Sequence, residues 1–588
     1  MSEENTEISW MVGGPAGAGV MRTGQVFASA MIYMGYYVFG TNEYPSLIRG
    51  GHNMYKIYAR LGEQVYSQLD QVDLYLALDK LAVERRLDEI RGEGILVYDS
   101  DEVKRLERRR GDIYYLPIPM RTIVRELKAP LVTRNMAGLG ASAYLLGVPF
   151  EYVEKAIRRI MPRYVEENVK VARRGYEYAE KHYEGVKPKP LKIGEYKPKL
   201  FIDGNSATAI AAIKAGMKLL AAYPITPQTP LLEYVARHAD DFGVIAIQAE
   251  HEIASILIAI GAGYAGVRAM TATSGPGLSL KTESIGLAAM AEIPLVIVNV
   301  QRQGPSTGMA THQAQGDLLF SVNIGHSENT LVVLAPGDVE EVFYYVPESF
   351  NIAEKYQLPV IVLLDKHLAE SHYTLDVLDY FKHVRIERGP ILSEKDIEEL
   401  KKRGEEYLRY KITETGVSPR IIPGTRGALF RCEGSEHDEH GYYTEKPEKV
   451  TAMWRKRFRK LETLIKELRE RGFPVTKYYG VKPGEADAVI VVWGSVKGPV
   501  LEALRILGDD YRLGVLQVVL MKPFPDKEVL DVLTRAKQVV SVENNYTSQL
   551  ARLIRQETGF HIEKRINKFD GRPFNPVALS KQLREVIG

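Results

Sequence analysis

Three stretches of the chain repeat one pattern: a short run of β-branched and aliphatic residues, a Gly or Pro turn, then apolar residues at helical spacing. Strand–turn–helix units of this kind bury their strands on both faces and assemble into wound α/β layers. A chain of 588 residues needs more than one such layer, each with its own core. The expected class is α/β, with three doubly wound α/β domains.

Prolines set the first boundary. The run Lys187-Pro-Lys-Pro190 and the Lys- and Pro-containing stretch after it forbid helix and favour extended chain. Residues 1–190 are therefore expected to form a first domain, and 191–200 a linker. A second domain is expected over 201–375, with strands at 219–223, 244–248, 269–273, 295–300, 330–334 and 360–364. Residues 376–480 are charged. There Trp454, Phe458, Leu461, Leu464, Ile465 and Leu468 recur at helical spacing and predict one amphipathic helix, with the rest read as loop. Residues 481–588 open with Ala-Val-Ile-Val-Val-Trp-Gly-Ser at 488–495 and form a third compact domain.

Charge and cysteine content narrow the function. Lys plus Arg number 77 against 75 Asp plus Glu, so there is no broad electrostatic attraction to nucleic acid or to an anionic membrane. An acidic start and the lack of an apolar run near the roughly 18 residues that span a bilayer predict a cytoplasmic, soluble protein. One cysteine, Cys432, cannot supply the four thiolates of an iron–sulfur cluster. Any cluster in the chemistry has to sit in another chain.

Two glycine-rich loops stand out in the first domain. Gly13-Gly-Pro-Ala-Gly17-Ala-Gly19 follows a strand and opens a helix, which suits either a phosphate at a helix N-terminus or a tight turn. Its spacing departs from G-x-G-x-x-G, which argues against nicotinamide binding. Tyr44-Pro-Ser-Leu-Ile-Arg49-Gly-Gly51 is either a surface turn or a loop whose Arg49 meets an anion. Coenzyme A would gain from both loops if they faced one crevice.

The second domain carries three signals, each after its own strand. Prolines 224 and 227 stiffen Tyr223-Pro224-Ile225-Thr226-Pro227 and leave the Thr226 hydroxyl free for a ligand, or they make a merely rigid turn. Gln248-Ala-Glu250-His-Glu252 enters a helix. Residues two apart on a helix point about 200° from each other, so only one of these carboxylates reaches a shared site. In Met270-Thr-Ala-Thr-Ser274-Gly275-Pro-Gly277 the glycines allow backbone to approach a flat ligand, and Ser274 adds a hydroxyl.

A Glu nine residues before Gly261, followed by a strand ending Thr-Ser-Gly-Pro-Gly, resembles the pyrimidine-binding domain of thiamin-diphosphate enzymes, and Glu252 fits that spacing. Within that superfamily, Tyr223–Pro227, Asn299-Val-Gln-Arg302-Gln-Gly-Pro-Ser-Thr-Gly308 and Val542-Glu-Asn-Asn-Tyr-Thr-Ser-Gln-Leu550 resemble the 2-oxoacid:ferredoxin oxidoreductases. The last of these lies in a domain similar to the C-terminal domain of transketolase. The first 190 residues resemble the family's γ domain, fused ahead of the α part, so the likeness covers nearly the whole chain.

The resemblance implies oxidative decarboxylation of a 2-oxo acid, such as pyruvate or 2-oxoglutarate, to acyl-CoA and CO2, with electrons passed to ferredoxin. It implies that Glu252 bonds the aminopyrimidine and promotes the imino tautomer that removes the thiazolium proton. It places Tyr223, Pro224, Ile225, Pro227, Ser274, Gly275 and Gly277 against the cofactor, with Thr226 and Arg302 joining Glu252 as catalytic residues. Arg302 would take the substrate carboxylate as a bidentate pair. His312 stands where the family carries Arg or Lys, and it is assigned with Arg49 to substrate or coenzyme A. No Gly-Asp-Gly occurs in the sequence. The Mg2+–diphosphate half and the iron–sulfur cluster are therefore expected in a β subunit, as part of a heterodimer or a dimer of heterodimers. Two rival readings are a non-oxidative thiamin enzyme subunit and a non-catalytic scaffold that binds coenzyme A. His437 and His440 are read as solvated polar residues, and no metal is expected on this chain.

Overall fold

The computed structural model describes residues 5–46, 50–183, 190–382 and 384–588, so Arg49 and residues 187–189 of the proline run at the expected first boundary lie outside them. The fold is α/β, as expected, and is organised on three mixed sheets. Six strands of the central sheet run parallel, in the order Val332–Leu334, Pro359–Asp365, Leu295–Gln301, Ala269–Thr273, Leu219–Ala222 and Ile245–Gln248. All seven residues of Leu295–Gln301 and of Pro359–Asp365 are buried. Helices cover both faces of such strands, which is why they read as continuous apolar runs and not as alternating ones.

The first sheet has eight strands, and two of them come from outside residues 1–190. Lys199–Asp203 pairs antiparallel with His372–Asp376, which docks on Tyr36–Glu43 through His372 opposite Gly40 and Tyr373 opposite Phe39. The stretch read as linker thus ends in a strand that joins the first region to the second. The third sheet has five strands in the order Thr476–Gly480, Leu513–Val518, Ala488–Val492, Val539–Glu543 and Lys564–Asn567. Its region also lends Leu520–Lys522 to the edge of the central sheet, antiparallel to Val332–Leu334.

Residues 376–480 carry more structure than the sequence pattern suggested. A capping box between Ser393 and Asp396 starts the helix Glu394–Lys402. The amphipathic helix runs Pro447–Glu470 and buries Leu464 and Leu468 as predicted, but it also buries Lys456, Arg457 and Lys460. The reason lies across the interface. Glu292 is fully buried, with Lys456 Nζ 2.5 Å from its Oε1 and Lys460 on its other oxygen. Arg409 donates to the Glu292 carbonyl at 2.8 Å. Burial works to raise the Glu292 carboxyl, and the two ammonium groups outweigh it and hold it far below the usual range.

His437 corrects the expectation of a solvated pair. It is fully buried, its ring centroid 4.0 Å from that of Tyr410 and its Nδ1 2.8 Å from the Ser435 carbonyl. His440 is exposed. Among the described residues no cluster of three His, Cys, Asp or Glu could hold a metal, and no helix is long and apolar enough to cross a membrane.

Removing one partner of a buried ion pair leaves an uncompensated charge, a loss of about 3–5 kcal/mol, whereas apolar replacement of all partners is often neutral. Glu292→Gln should therefore lower the thermal unfolding midpoint by several degrees. The triple change Glu292→Leu, Lys456→Met, Lys460→Met should recover most of the loss.

Candidate active site

Parallel strands deliver their following loops to one edge of a sheet, and the register sets which loops are neighbours. Ala272 lies opposite Ala222, Ala222 opposite Gln248, and Thr273 opposite Asn299. The segments that begin at Tyr223, Ala249, Ser274 and Arg302 therefore leave the central sheet side by side.

The Tyr223–Pro227 loop is held from beneath. Gln228 Nε2 donates to the Tyr223 carbonyl at 2.9 Å, and Asn205 Nδ2 to the Pro227 carbonyl at 3.0 Å, both from fully buried residues. Arg302 reaches the same loop. Its Nη1 donates to the Thr226 carbonyl at 2.9 Å and its Nη2 to the Thr307 carbonyl at 3.2 Å, while its Nε is buried without a partner among the described residues. Burial draws the Arg302 pKa below its ordinary value, against the pull of Asp317.

Glu252 is the first residue of the helix Glu252–Tyr264 and is 7 % exposed. His251 caps that helix, with its Nδ1 accepting from Ala254 N at 3.1 Å. Glu250 precedes the cap and is exposed. The two carboxylates do part company, but not by helical rotation: the extended backbone at His251 separates them before the helix begins.

Gly277 faces Glu252 at close quarters. A Cβ there would stand 2.1 Å from Thr273 Oγ1 and 2.8 Å from Glu252 Oε1, so only glycine lets the turn and the carboxylate share this space. Ser274 Oγ is buried without a hydrogen-bond partner among the described residues. A buried carboxylate beside an unsatisfied hydroxyl and bare backbone suits the edge of a flat, nitrogen-bearing ring. The residues present therefore fit the pyrimidine of thiamin diphosphate.

Two further residues of this edge escaped the sequence patterns. Asp317 accepts from Asn299 Nδ2 at 2.9 Å, lies 3.0 Å from where a Cβ on Gly275 would stand, and has its carboxyl pKa raised by burial. Lys281 is fully buried beneath Glu252 and donates to the Glu252 carbonyl at 2.8 Å. Its one sequence signal is a lone Lys closing the uncharged run from Ala269 to Leu280.

His312 lines a cavity of about 660 Å3 where the three sheets' regions meet. Tyr44, Lys56 and Arg86 come to it from the first, Lys366 from the second and Arg572 from the third. Burial lowers the His312 pKa, and Arg572 and Lys366 lower it further. Burial opposes the charge of Glu43 in the same wall, yet Arg86 and Arg572 hold its pKa at about 2. Of the two glycine-rich loops, the second brings Tyr44 and Pro45 to this cavity. Gly13 instead packs inside its strand, where a Cβ would meet Tyr75 Oη at 2.4 Å. Ala16 N donates to the Gly51 carbonyl at 3.0 Å, so the two loops do adjoin.

The third region docks behind Arg302. Gln315 N donates to the Asn544 carbonyl at 2.8 Å, and Gln315 Nε2 to Asp365 Oδ2 at 2.9 Å. Buried Glu543 accepts from Asn545 Nδ2, Leu550 N and Ala551 N, so the Asn pair shapes a turn.

Residues 210–456 match a family model described as pyruvate flavodoxin/ferredoxin oxidoreductase, thiamine diphosphate-binding, and this edge lies within them. Residues 9–178 match pyruvate ferredoxin/flavodoxin oxidoreductase, and 486–578 match pyruvate:ferredoxin oxidoreductase core domain II. The alpha subunit of 2-oxoacid:ferredoxin oxidoreductase 2 from Aeropyrum pernix is 34% identical over 99% of this chain and 98% of its own. A 2-oxoacid:ferredoxin oxidoreductase alpha subunit from Sulfolobus is 33% identical over 99% and 97%. Among solved structures, a 2-oxoglutarate:ferredoxin oxidoreductase from Magnetococcus marinus with 2-oxoglutarate, coenzyme A and succinyl-CoA bound matches all of both chains, with a TM-score of 0.90 and 32% identity. The chain belongs to the 2-oxoacid:ferredoxin oxidoreductase family and is of its alpha-subunit type, with the γ domain fused at the N-terminal side.

Gly277→Ala tests the close approach at Glu252. A methyl group there has to displace the carboxylate or the Ser-Gly-Pro-Gly turn. The variant should bind thiamin diphosphate at least about tenfold more weakly, equivalent to ~1.4 kcal/mol, as measured by calorimetry on the assembled enzyme.

Proposed function

We propose that this chain, with a β subunit, couples the oxidative decarboxylation of a 2-oxo acid to the acylation of coenzyme A. The 2-oxo acid loses CO2, its former carbonyl carbon gives up two electrons, one at a time, through an iron–sulfur cluster to ferredoxin, and the acyl group leaves on the coenzyme A sulfur as the thiol proton is released. The observation that carries this reading is the buried Glu252 carboxylate set against Gly277, beside the unpartnered Ser274 hydroxyl.

Thiamin diphosphate, when bound, supplies a nucleophilic carbon that adds to the ketone and holds the electrons released by decarboxylation. The chain's own residues do the rest of the work on this side of the site. Glu252 shares a proton with the pyrimidine ring, and Ser274, Gly275 and Gly277 take the ring's edge and face. Tyr223, Pro224, Ile225 and Pro227 form a stiff wall, from which the Thr226 hydroxyl meets the substrate. Arg302 already spends one N–H of each Nη on the loop carbonyls and keeps one on each for the substrate carboxylate, beside its unpartnered Nε.

The cavity at His312 suits coenzyme A. Lys56, Arg86, Lys366 and Arg572 supply cationic donors for its phosphates, and His312 stays uncharged at neutral pH unless an anion raises its pKa. The metal–diphosphate clamp and the cluster belong to the β subunit, because this sequence offers neither Gly-Asp-Gly nor more than one cysteine. The 2-oxoglutarate in the Magnetococcus marinus structure makes a dicarboxylic oxo acid the first substrate to test.

Purified with its β subunit, the chain should give a brown complex that reduces ferredoxin on addition of a 2-oxo acid and coenzyme A. Glu252→Gln should lower kcat by about 10²–10⁴, the usual span for a positioned proton-transfer group, whereas Glu250→Gln should leave it nearly intact. Equal losses would sink the assignment of Glu252. Arg302→Ala should raise the KM for the 2-oxo acid by about 10–100-fold, from the loss of ~1.5–3 kcal/mol of charge-assisted bonding. Arg572→Ala should act on the KM for coenzyme A alone; the reverse pattern would exchange the two sites.

A further inference from the structure

Lys281 has no part in the chemistry described above, yet it is buried directly against the first turn of the Glu252 helix. It follows the short helix Gly275–Leu280 and is fully buried. Its ammonium donates to the Glu252 carbonyl at 2.8 Å, to Thr271 Oγ1 at 3.1 Å, and to Ser255 Oγ. Ser255 Oγ donates in turn to the same Glu252 carbonyl at 2.8 Å. Lysine is almost never fully buried unless it is paired with a countercharge. Here all three acceptors are uncharged oxygens.

We propose that Lys281 is a positioning residue for Glu252: it pins the first turn of the Glu252 helix and sets, through its buried charge, how readily that carboxyl exchanges a proton with the thiamin pyrimidine. This rests on the assignment of Glu252 to that ring. The groups facing the ammonium come from the helix Glu252–Tyr264, which brings Glu252 and Ser255, and from the strand Ala269–Thr273, which brings Thr271. Of these only Glu252 titrates. Burial draws the Lys281 pKa down to about 7, while the Glu252 charge pulls it up. A buried positive charge beside an ionisable group stabilises its charged form, and this one is lost as the lysine gives up its own proton near neutral pH. Two groups coupled in this way titrate as a pair.

The test uses the thiamin-loaded complex of this chain with its β subunit. The first readout needs no turnover: the near-ultraviolet circular dichroism of the bound aminopyrimidine, titrated with pH. Wild type should show a step near pH 7 that Lys281→Met lacks. In Lys281→Met the acid limb of kcat/KM should move to higher pH by about 0.5–1, with the KM for the 2-oxo acid changed less than about twofold. Lys281→Arg should restore the limb. Thr271→Val, which removes one acceptor and is the variant to rely on if Lys281→Met fails to fold, should move the step near pH 7 downward.

Unfolding of the cofactor-free complex gives a second readout. The folded chain holds this proton less tightly than the unfolded chain does, whose lysine pKa is about 10.4. Wild type should therefore gain stability relative to Lys281→Met as pH rises from about 7 toward 10. A Lys281→Met or Thr271→Val complex whose dichroism titration superimposes on wild type overturns the proposal, and so does a fall in kcat that is equal at every pH. An active Glu252→Gln complex would overturn this and the Glu252 assignment together. An unshifted Lys281→Met beside an inactive Glu252→Gln overturns this one alone.

Discussion

Parallel pairing sends every strand of the central sheet toward one edge, and its register decides which loop leaves beside which. The four segments that carry Thr226, Glu252, Ser274 and Arg302 are scattered over some 80 residues of sequence, yet they become neighbours because Ala222, Gln248, Thr273 and Asn299 sit within a residue or two of one another in the ladder. A slip of one residue would turn the strand faces over and part the loops. The opposite edge is built for anchorage. Arg268, just before Ala269–Thr273, pairs with buried Glu354 at 2.7 Å, and Arg388 and Arg420 join the same carboxylate. The charged segment after residue 376 is thereby tied to the edge remote from the chemistry, and it leaves the other edge open.

Legibility from sequence followed burial. The strand at 269–273 stands to the residue where the sequence pattern places it, because a strand covered on both faces takes small, apolar or β-branched residues and a glycine turn marks its end. The partly buried strands Lys199–Asp203 and His372–Asp376 carry no such run, and the first lay hidden behind a proline-rich stretch. Their pairing joins residues some 170 apart. Helical phase predicts that only one of Glu250 and Glu252 reaches a shared site; the two do point apart, but because the His251 cap leaves Glu250 outside the helix and not because both lie within it.

Buried cations were the chief blind spot. Lys456, Lys460 and Lys281 break the rule that lysine marks a solvated helix face, and what reverses it is a group that no local window contains. For Lys456 that group is Glu292, 164 residues away. For Lys281 it is a carbonyl 29 residues upstream. A polar residue inside an apolar helical stretch is thus ambiguous until its partner is known. His437 is the same case with an aromatic neighbour, Tyr410, in place of a charge.

The basic cavity depends on ties that join the three regions directly. Arg60, on the first sheet, pairs with buried Glu502 of the third region at 2.6 Å, and Lys497 of the third reaches Glu341 of the second at 2.8 Å. Apolar contact alone tolerates sliding, because dispersion and burial change little over a small displacement. A hydrogen-bonded ion pair does not, because its strength falls steeply with distance and angle, and a displaced partner is left as a buried bare charge. Charges at these junctions therefore fix the relative placement of Arg86, Lys366 and Arg572, which belong to three different regions and meet only in the cavity wall. A site assembled in this way holds its cationic donors at set spacings without a backbone segment running between them.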